Sequence, residues 1–276
     1  IDEVHLLYNT QRGLQLRILL QRLTSWLDRP LQWAALSATI GDMDNTRGFL
    51  FGPTSTARFL SFAATRTIDA YIRRVNSLAD LASLLERLPV ENKGKYLIFV
   101  DGRRKCEELA AGLRKNMALA PHIMVHYSSL SQKVRLEVEK AFTEMSLAVC
   151  IATSTLELGI DIGDINGVIL WGPPASVESF LQRIGRGNRR TNTTSVICLV
   201  PNDEKTPLFS AIHYAAVIQC AREGLLPRRR PYEVLGAFVQ QVCALLLTEA
   251  PGSLGPKEIM ARLGSIPGLH EQVLLE

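Results

Sequence analysis

Between residues 68 and 200 the chain alternates short, continuous apolar runs with amphipathic stretches, and few folds accommodate that alternation. The runs 68–75, 96–100, 122–127, 147–153, 167–171 and 195–200 read as strands. The stretches 78–88, 104–116, 132–144 and 177–185 between them carry apolar residues at helical spacing. A strand that is apolar along its whole length needs cover on both faces, and a helix after each strand supplies that cover. The expectation is a parallel sheet of the α/β class. Residues 208–223 read as a further helix, and the tail, 232–249 and 256–263, as helical pieces separated by Pro251 and Gly252. Ahead of the alternation, 13–27 fits a helix buried over much of its surface, stopped by Asp28, Arg29 and Pro30. Residues 32–36 read as a buried strand leading into Ser37-Ala38-Thr39. The Thr/Ser/Ala-rich stretch after Gly52 and Pro53 is the expected linker.

Composition narrows what such a chain can do. With 276 residues, 47% of them hydrophobic and 21% charged, it can bury a sizeable core, and wholesale disorder is excluded. Every long apolar stretch is broken within about 18 residues, and no basic segment leads into an apolar one, so neither a membrane span nor an export signal is expected. The five cysteines form no C-x-x-C pair and sit mostly in apolar runs, reading as buried reduced thiols of a cytoplasmic protein. A net charge of +4 conceals two dense clusters, Arg183/Arg186/Arg189/Arg190 and Arg228/Arg229/Arg230, which permit a polyanion partner. The first residue is Ile1, and the chain is expected to begin inside a larger protein.

Four strings carry candidate chemistry. Asp2-Glu3-Val4-His5 places two carboxylates after what would be a strand end, where one can hold magnesium through water and the other can orient an attacking water. Taken singly it reads first as a solvated acidic turn. Ser37-Ala38-Thr39 offers small hydroxyls that could hydrogen-bond across a sheet edge, though such residues are common in loops. In 152–162, Thr153 and Ser154 present hydroxyls and N–H groups at a helix start, suited to phosphate, and Asp161 could accept a ribose hydroxyl. The alternative is a capped helix followed by a turn acid. In 182–190, four arginines and two glycines follow an amphipathic helix; guanidinium forks suit a γ-phosphate or a nucleic-acid backbone, and a solvated face is the plain rival.

Taken in order, Asp-Glu-x-His, Ser-Ala-Thr, Thr-x-x-x-x-Gly-Ile-Asp and Gln-x-x-Gly-Arg-x-x-Arg resemble motifs II, III, V and VI of superfamily 2 helicases. The closer resemblance is to the large helicase-related (Lhr) family of DExH-box enzymes: ATSTLELGIDIG resembles its motif V, LIFVDGR its motif IV, and HYSSLS its His-Gly-Ser-Leu-Ser element. Gly102, Tyr127, Ser128 and Asn188 depart from the family pattern. The resemblance implies RecA-like parallel-sheet domains: the end of a first one at 1–64, a second at 65–225, and the start of a winged helix at 226–276. It implies an ATP-dependent helicase or translocase motor acting 3′-to-5′ on DNA or RNA–DNA hybrids, with ATP and Mg²⁺ as cofactors and single-stranded or partly duplex nucleic acid as partner. By the same resemblance Asp2 holds magnesium and Glu3 is the catalytic carboxylate. Arg186 and Arg189 are arginine fingers. His5, Gly159, Asp161 and Gln182 belong to the nucleotide side, Ser37 and Thr39 to coupling, and Arg103, Ser129 and Thr153 to the nucleic-acid backbone.

One expected string does not occur. No G-x-x-x-x-G-K-[ST] phosphate loop is found in the 276 residues, so the chain reads as half of an ATP site and is expected to be inactive without a preceding RecA-like part. The alternative is a non-catalytic nucleic-acid-binding RecA-like module or degenerate paralogue. An RNA helicase with an Ala-Asp ending to its acidic motif is disfavoured by Val4-His5, and a dehydrogenase by the lack of G-x-G-x-x-G after a strand.

Overall fold

A computed structural model describes residues 1–27, 31–37, 40–52, 57–60, 67–87, 94–157, 164–187, 192–202, 206–227, 235–248 and 254–263. The chain forms two compact units, residues 63–225 and residues 1–62 together with 226–276.

The first of these units is built on six parallel strands, β1 (Thr67–Val75), β2 (Lys95–Phe99), β3 (Ile123–His126), β4 (Ala148–Ala152), β5 (Gly167–Trp171) and β6 (Thr193–Pro201), in the order β1-β6-β5-β2-β4-β3. The α/β expectation is met. Alternate residues of the central strands enter two separate cores. Leu97 and Phe99 of β2, with Cys150 of β4 and Leu170 of β5, face one core; Ile98, Val149, Ile151 and Ile169 face the other. Helices α5 (Gln132–Glu144), α6 (Val177–Ile184) and α7 (Pro207–Arg222) cover the first through Phe142, Phe180 and Tyr214. Helices α3 (Leu78–Arg87) and α4 (Arg103–Leu113) cover the second through Leu81, Leu85, Cys106 and Leu109. Tyr214 is fully buried, and its hydroxyl donates to the Leu170 and Leu199 carbonyls at 3.0 and 3.3 Å, which satisfies a polar group that the core otherwise could not hold.

The other unit is helical in its described parts. A 3-10 helix (Val4–Leu6) precedes α1 (Gln11–Trp26), and α2 (Met43–Phe51) follows; the tail supplies α8 (Leu235–Thr248) and α9 (Pro256–Leu263). Thr10 caps α1 by accepting the Gly13 N–H, and Asp42 caps α2 by accepting that of Asn45. One core joins Val4, Leu14, Ile18, Phe49 and Leu50 with Phe238, Leu245, Ile259 and Leu263, so the tail helices pack on the leading segment.

Three expectations are corrected here. The helix at 11–26 is not buried over most of its surface: Leu14, Arg17 and Ile18 are covered, while Leu19, Leu23 and Trp26 are exposed. Residues 31–37 are not a buried strand. They alternate between half-buried and exposed, with Leu36 64% exposed, and Leu36 exchanges backbone bonds with Ile1 and Val4. Buried cysteines are found at 106, 150 and 198, whereas Cys220 is half-buried and Cys243 exposed. Among the described residues no helix is long and apolar enough to cross a membrane. Most of the expected linker and the Arg228/Arg229/Arg230 cluster lie outside the described residues.

Candidate functional site

In the helical unit, three of the expected residues meet. His5 Nδ1 lies 2.8 Å from Ser37 Oγ and 3.4 Å from Glu3 Oε2, with the imidazole largely buried. Two backbone features bring them together. The ladder-like bonds Leu36 N–H to Ile1 O and Val4 N–H to Leu36 O lay the two strings side by side. Glu3 itself adopts a left-handed backbone, φ 51°, which turns the chain into the 3-10 helix. That conformation costs a residue with a Cβ roughly 1–2 kcal/mol, and strain of this kind concentrates at functional positions. Asp2 is exposed, and its Oδ1 accepts the Glu3 N–H at 2.9 Å. No group of three or more metal-ligating side chains occurs among the described residues. A lone exposed carboxylate fits a magnesium ion that keeps most of its water and draws other ligands from phosphates. Thr39 lies outside the described residues.

In the α/β unit the expected backbone contacts share one edge of the sheet. Arg103 opens α4 just beyond β2, Ser129 lies between β3 and α5, and Thr153 follows β4 directly. Because β2, β4 and β3 are neighbours and parallel, the three residues occupy the C-terminal ends of adjacent strands, where open α/β sheets bind ligands. The edge is tied down by the Thr153 N–H to the His126 carbonyl, 3.2 Å, and the Val100 N–H to the Ala152 carbonyl, 2.9 Å. Arg103 and Ser129 are exposed and Thr153 is half-buried.

Gln182 and Arg186 lie on and just after α6, whose N-terminus is capped by Ser176. Arg186 donates from Nε and Nη2 to the backbone carbonyl of Glu157 at 3.1 and 2.7 Å. Arg183, 6% exposed, donates from Nε to Glu157 Oε1 at 2.7 Å, and Ser179 Oγ donates to that same oxygen at 3.2 Å. Arg183 also lies 5.5 Å over the Phe99 ring, with Nη1 3.8 Å from Asp101. Gly159, Asp161 and Arg189 lie outside the described residues.

Sequence reading passed over Glu157, Ser179 and His126. Ser179 and Arg183 stand i and i+4 on one face of α6, a spacing that could have paired them, whereas nothing local marks Glu157 as their partner. His126 is buried, with Nδ1 2.9 Å from Thr155 Oγ1 and Nε2 2.9 Å from Glu139 Oε1, and so locks β3 to the segment after β4.

Residues 77–191 match the helicase conserved C-terminal domain family. ATP-dependent helicase Lhr-Core protein 2 of Thermococcus barophilus is 36% identical over 270 residues, which is 90% of this chain and 30% of that protein. The structure of Mycobacterium smegmatis helicase Lhr bound to ssDNA and AMP-PNP superposes with a TM-score of 0.80 at 27% identity, over 99% of this chain and 37% of that one. Helicase MrfA bound to DNA and AMPPNP shares the fold, with a TM-score of 0.70 at 19% identity over 100% of this chain and 39% of that one. A six-stranded parallel sheet of the RecA-like kind that matches the helicase C-terminal domain family defines a fragment of a superfamily 2 helicase. Within that superfamily the chain belongs to the Lhr family. It spans about 30% of the length of the curated Lhr-Core relative.

Proposed function

We propose that this chain is part of an ATP-dependent helicase or translocase motor that moves 3′-to-5′ on single-stranded or partly duplex DNA, or on RNA–DNA hybrids. The observation that carries the reading is Arg186, whose two bonds to the Glu157 carbonyl tie it to the segment that begins with Thr153. In this reading Glu3 orients the attacking water, and His5 and Ser37 hold the carboxylate in place. Arg186 and Arg189 stabilise charge on the transferring phosphoryl group, while Gln182, Gly159 and Asp161 contribute to the nucleotide side. Magnesium, held by Asp2 through water, would neutralise phosphate charge. Arg103, Ser129 and Thr153 track phosphates of the nucleic acid, a mode of contact with little base preference. Ser37 and Thr39 link hydrolysis to strand separation. The assignment of 1–64 to the end of a first RecA-like domain, 65–225 to a second and 226–276 to the start of a winged helix belongs to the same proposal. Compactness of 63–225 and the helical tail support it.

The test is ATP turnover. In the full-length protein Arg186→Ala should lower turnover by about 10³-fold, with nucleotide binding retained. Residues 1–276 alone, which contain no phosphate-loop string, should hydrolyse ATP at background. Unimpaired turnover by the full-length variant removes Arg186 from its role, and robust activity of the isolated chain refutes the half-site.

A further inference from the structure

Arg183 and Arg186 end up in unlike chemical positions. Arg183 is buried and bonds a carboxylate, a charge-assisted contact in a dry surrounding. Arg186 is half-buried and makes two bonds to a neutral carbonyl. One residue, Glu157, therefore takes bonds from both arginines, from Arg183 on its carboxylate and from Arg186 on its carbonyl.

Glu157 also ends a short rigid turn. Thr153 and Glu157 flank a 3-10 helix (Ser154–Leu156), closed by the Glu157 N–H to the Ser154 carbonyl at 3.0 Å. The turn is pinned to β3 by the Thr153 N–H on the His126 carbonyl and by Thr155 on the His126 ring. A displacement at Thr153 reaches the Glu157 carbonyl through four residues of hydrogen-bonded backbone.

We infer that Glu157 is a positioning residue for hydrolysis: its carboxylate, anchored by Arg183 and Ser179, fixes the carbonyl on which Arg186 rests, so that nucleic acid at Thr153 controls where that guanidinium points. The inference rests on the proposed roles of Arg186 and Thr153. It adds that Glu157 touches neither nucleotide nor nucleic acid and acts only through Arg186.

The experiment measures ATP turnover by the full-length protein at saturating oligo(dT), together with KM for ATP, oligo(dT) affinity and the thermal midpoint. Removing one member of the buried pair would leave the other charge unpaired, so the main variant is the double Glu157→Met with Arg183→Met. Its kcat should fall by about a hundredfold, the scale of an ångström-sized misplacement, with KM, oligo(dT) affinity and the thermal midpoint near wild type. Glu157→Gln keeps an oxygen for Ser179 and Arg183 but loses the charge that holds it there, and its kcat should fall by about tenfold. Wild-type kcat in the double variant overturns the inference, as does a fall in oligo(dT) affinity matching the fall in kcat. Should the double variant not fold, Glu157→Gln decides: lowered kcat at unchanged KM and thermal midpoint supports positioning, and unchanged kcat overturns it. Arg186→Ala run alongside separates the two failures. If it is inactive while both Glu157 variants turn over normally, only the positioning role falls; if it turns over normally, the role assigned to Arg186 falls with it.

Discussion

Cys106, Cys150 and Cys198 are sealed into the two cores of the sheet, and burial pushes their thiols up, to about 12 for Cys106 and Cys198 and higher for Cys150. The reactive form is the thiolate, so these side chains are inert at neutral pH, whereas Cys243 is exposed. Iodoacetamide at pH 8, read by peptide mass spectrometry, should label Cys243 in the native protein and reach the three buried thiols only on unfolding; early labelling of Cys150 would contradict the core assignment. The sign for stability follows from the same shift. An acid whose folded pKa lies above its unfolded value of about 9 favours the fold at lower pH, and that contribution is lost as pH rises from about 9 towards 12. At this scale the sequence was only partly legible. The apolar runs AVCIA and VICLV announce buried thiols at 150 and 198, and the motif strings point to Glu3, His5, Ser37 and Arg186. Glu157 stayed hidden because its partners stand more than twenty residues away along the chain, and no local pattern marks an acid as paired.

Among the elements, glycine separates a packing contact from a tolerated defect. A Cβ built on Gly13 would stand 1.9 Å from the Leu7 carbonyl oxygen, so α1 lies against the turn before it only because that side chain is missing. Gly48 sits inside α2 with nothing within 4 Å of its Cβ position. Gly13→Ala should destabilise by about 1–3 kcal/mol, and Gly48→Ala should stabilise by about 0.4–1 kcal/mol. Denaturant melts of the two variants check the pair, and equal effects would show that α1 has room to shift. Element boundaries were legible where chemistry punctuates them. Gly167 before VILW, the Ser131 cap before Gln132–Glu144 and Pro256 at the start of α9 set those elements to the residue. Helix α2 was not anticipated, since Asn45, Thr46 and Gly48 within nine residues dilute its apolar face. The run 32–36 has strand-like composition, and burial depends on neighbours that composition does not specify.

At the scale of the whole molecule the proposed contacts predict how nucleic acid binds. In the proposed mode Arg103, Ser129 and Thr153 meet phosphates, so affinity for single strands should fall steeply with salt and vary little between dT, dA and mixed sequences. Arg103→Ala should weaken all of them alike and reduce the slope of log K against log salt by roughly 0.7, the value for one phosphate on a single strand. Fluorescence anisotropy across a salt series measures both, and a base preference that disappears with Arg103 would contradict a backbone role.

The helices that complete the leading segment come from the far end of the chain. Gln11 Oε1 accepts the Ala237 N–H across 226 residues, and Arg22 reaches Gln241 across 219. On the ribosome the leading segment, residues 11–51, is therefore made well before the tail helices that cover it. Its apolar stripe, Leu14, Ile18 and Phe49, waits uncovered while the whole α/β unit is made, and domains generally fold as they emerge. The α/β unit is one continuous stretch, residues 63–225, whereas the helical unit joins two segments that lie on either side of it in the sequence. Loop closure over such a distance adds little to the final free energy but slows the search. During translation the Leu14 and Ile18 face of α1 is consequently a surface that a chaperone would meet.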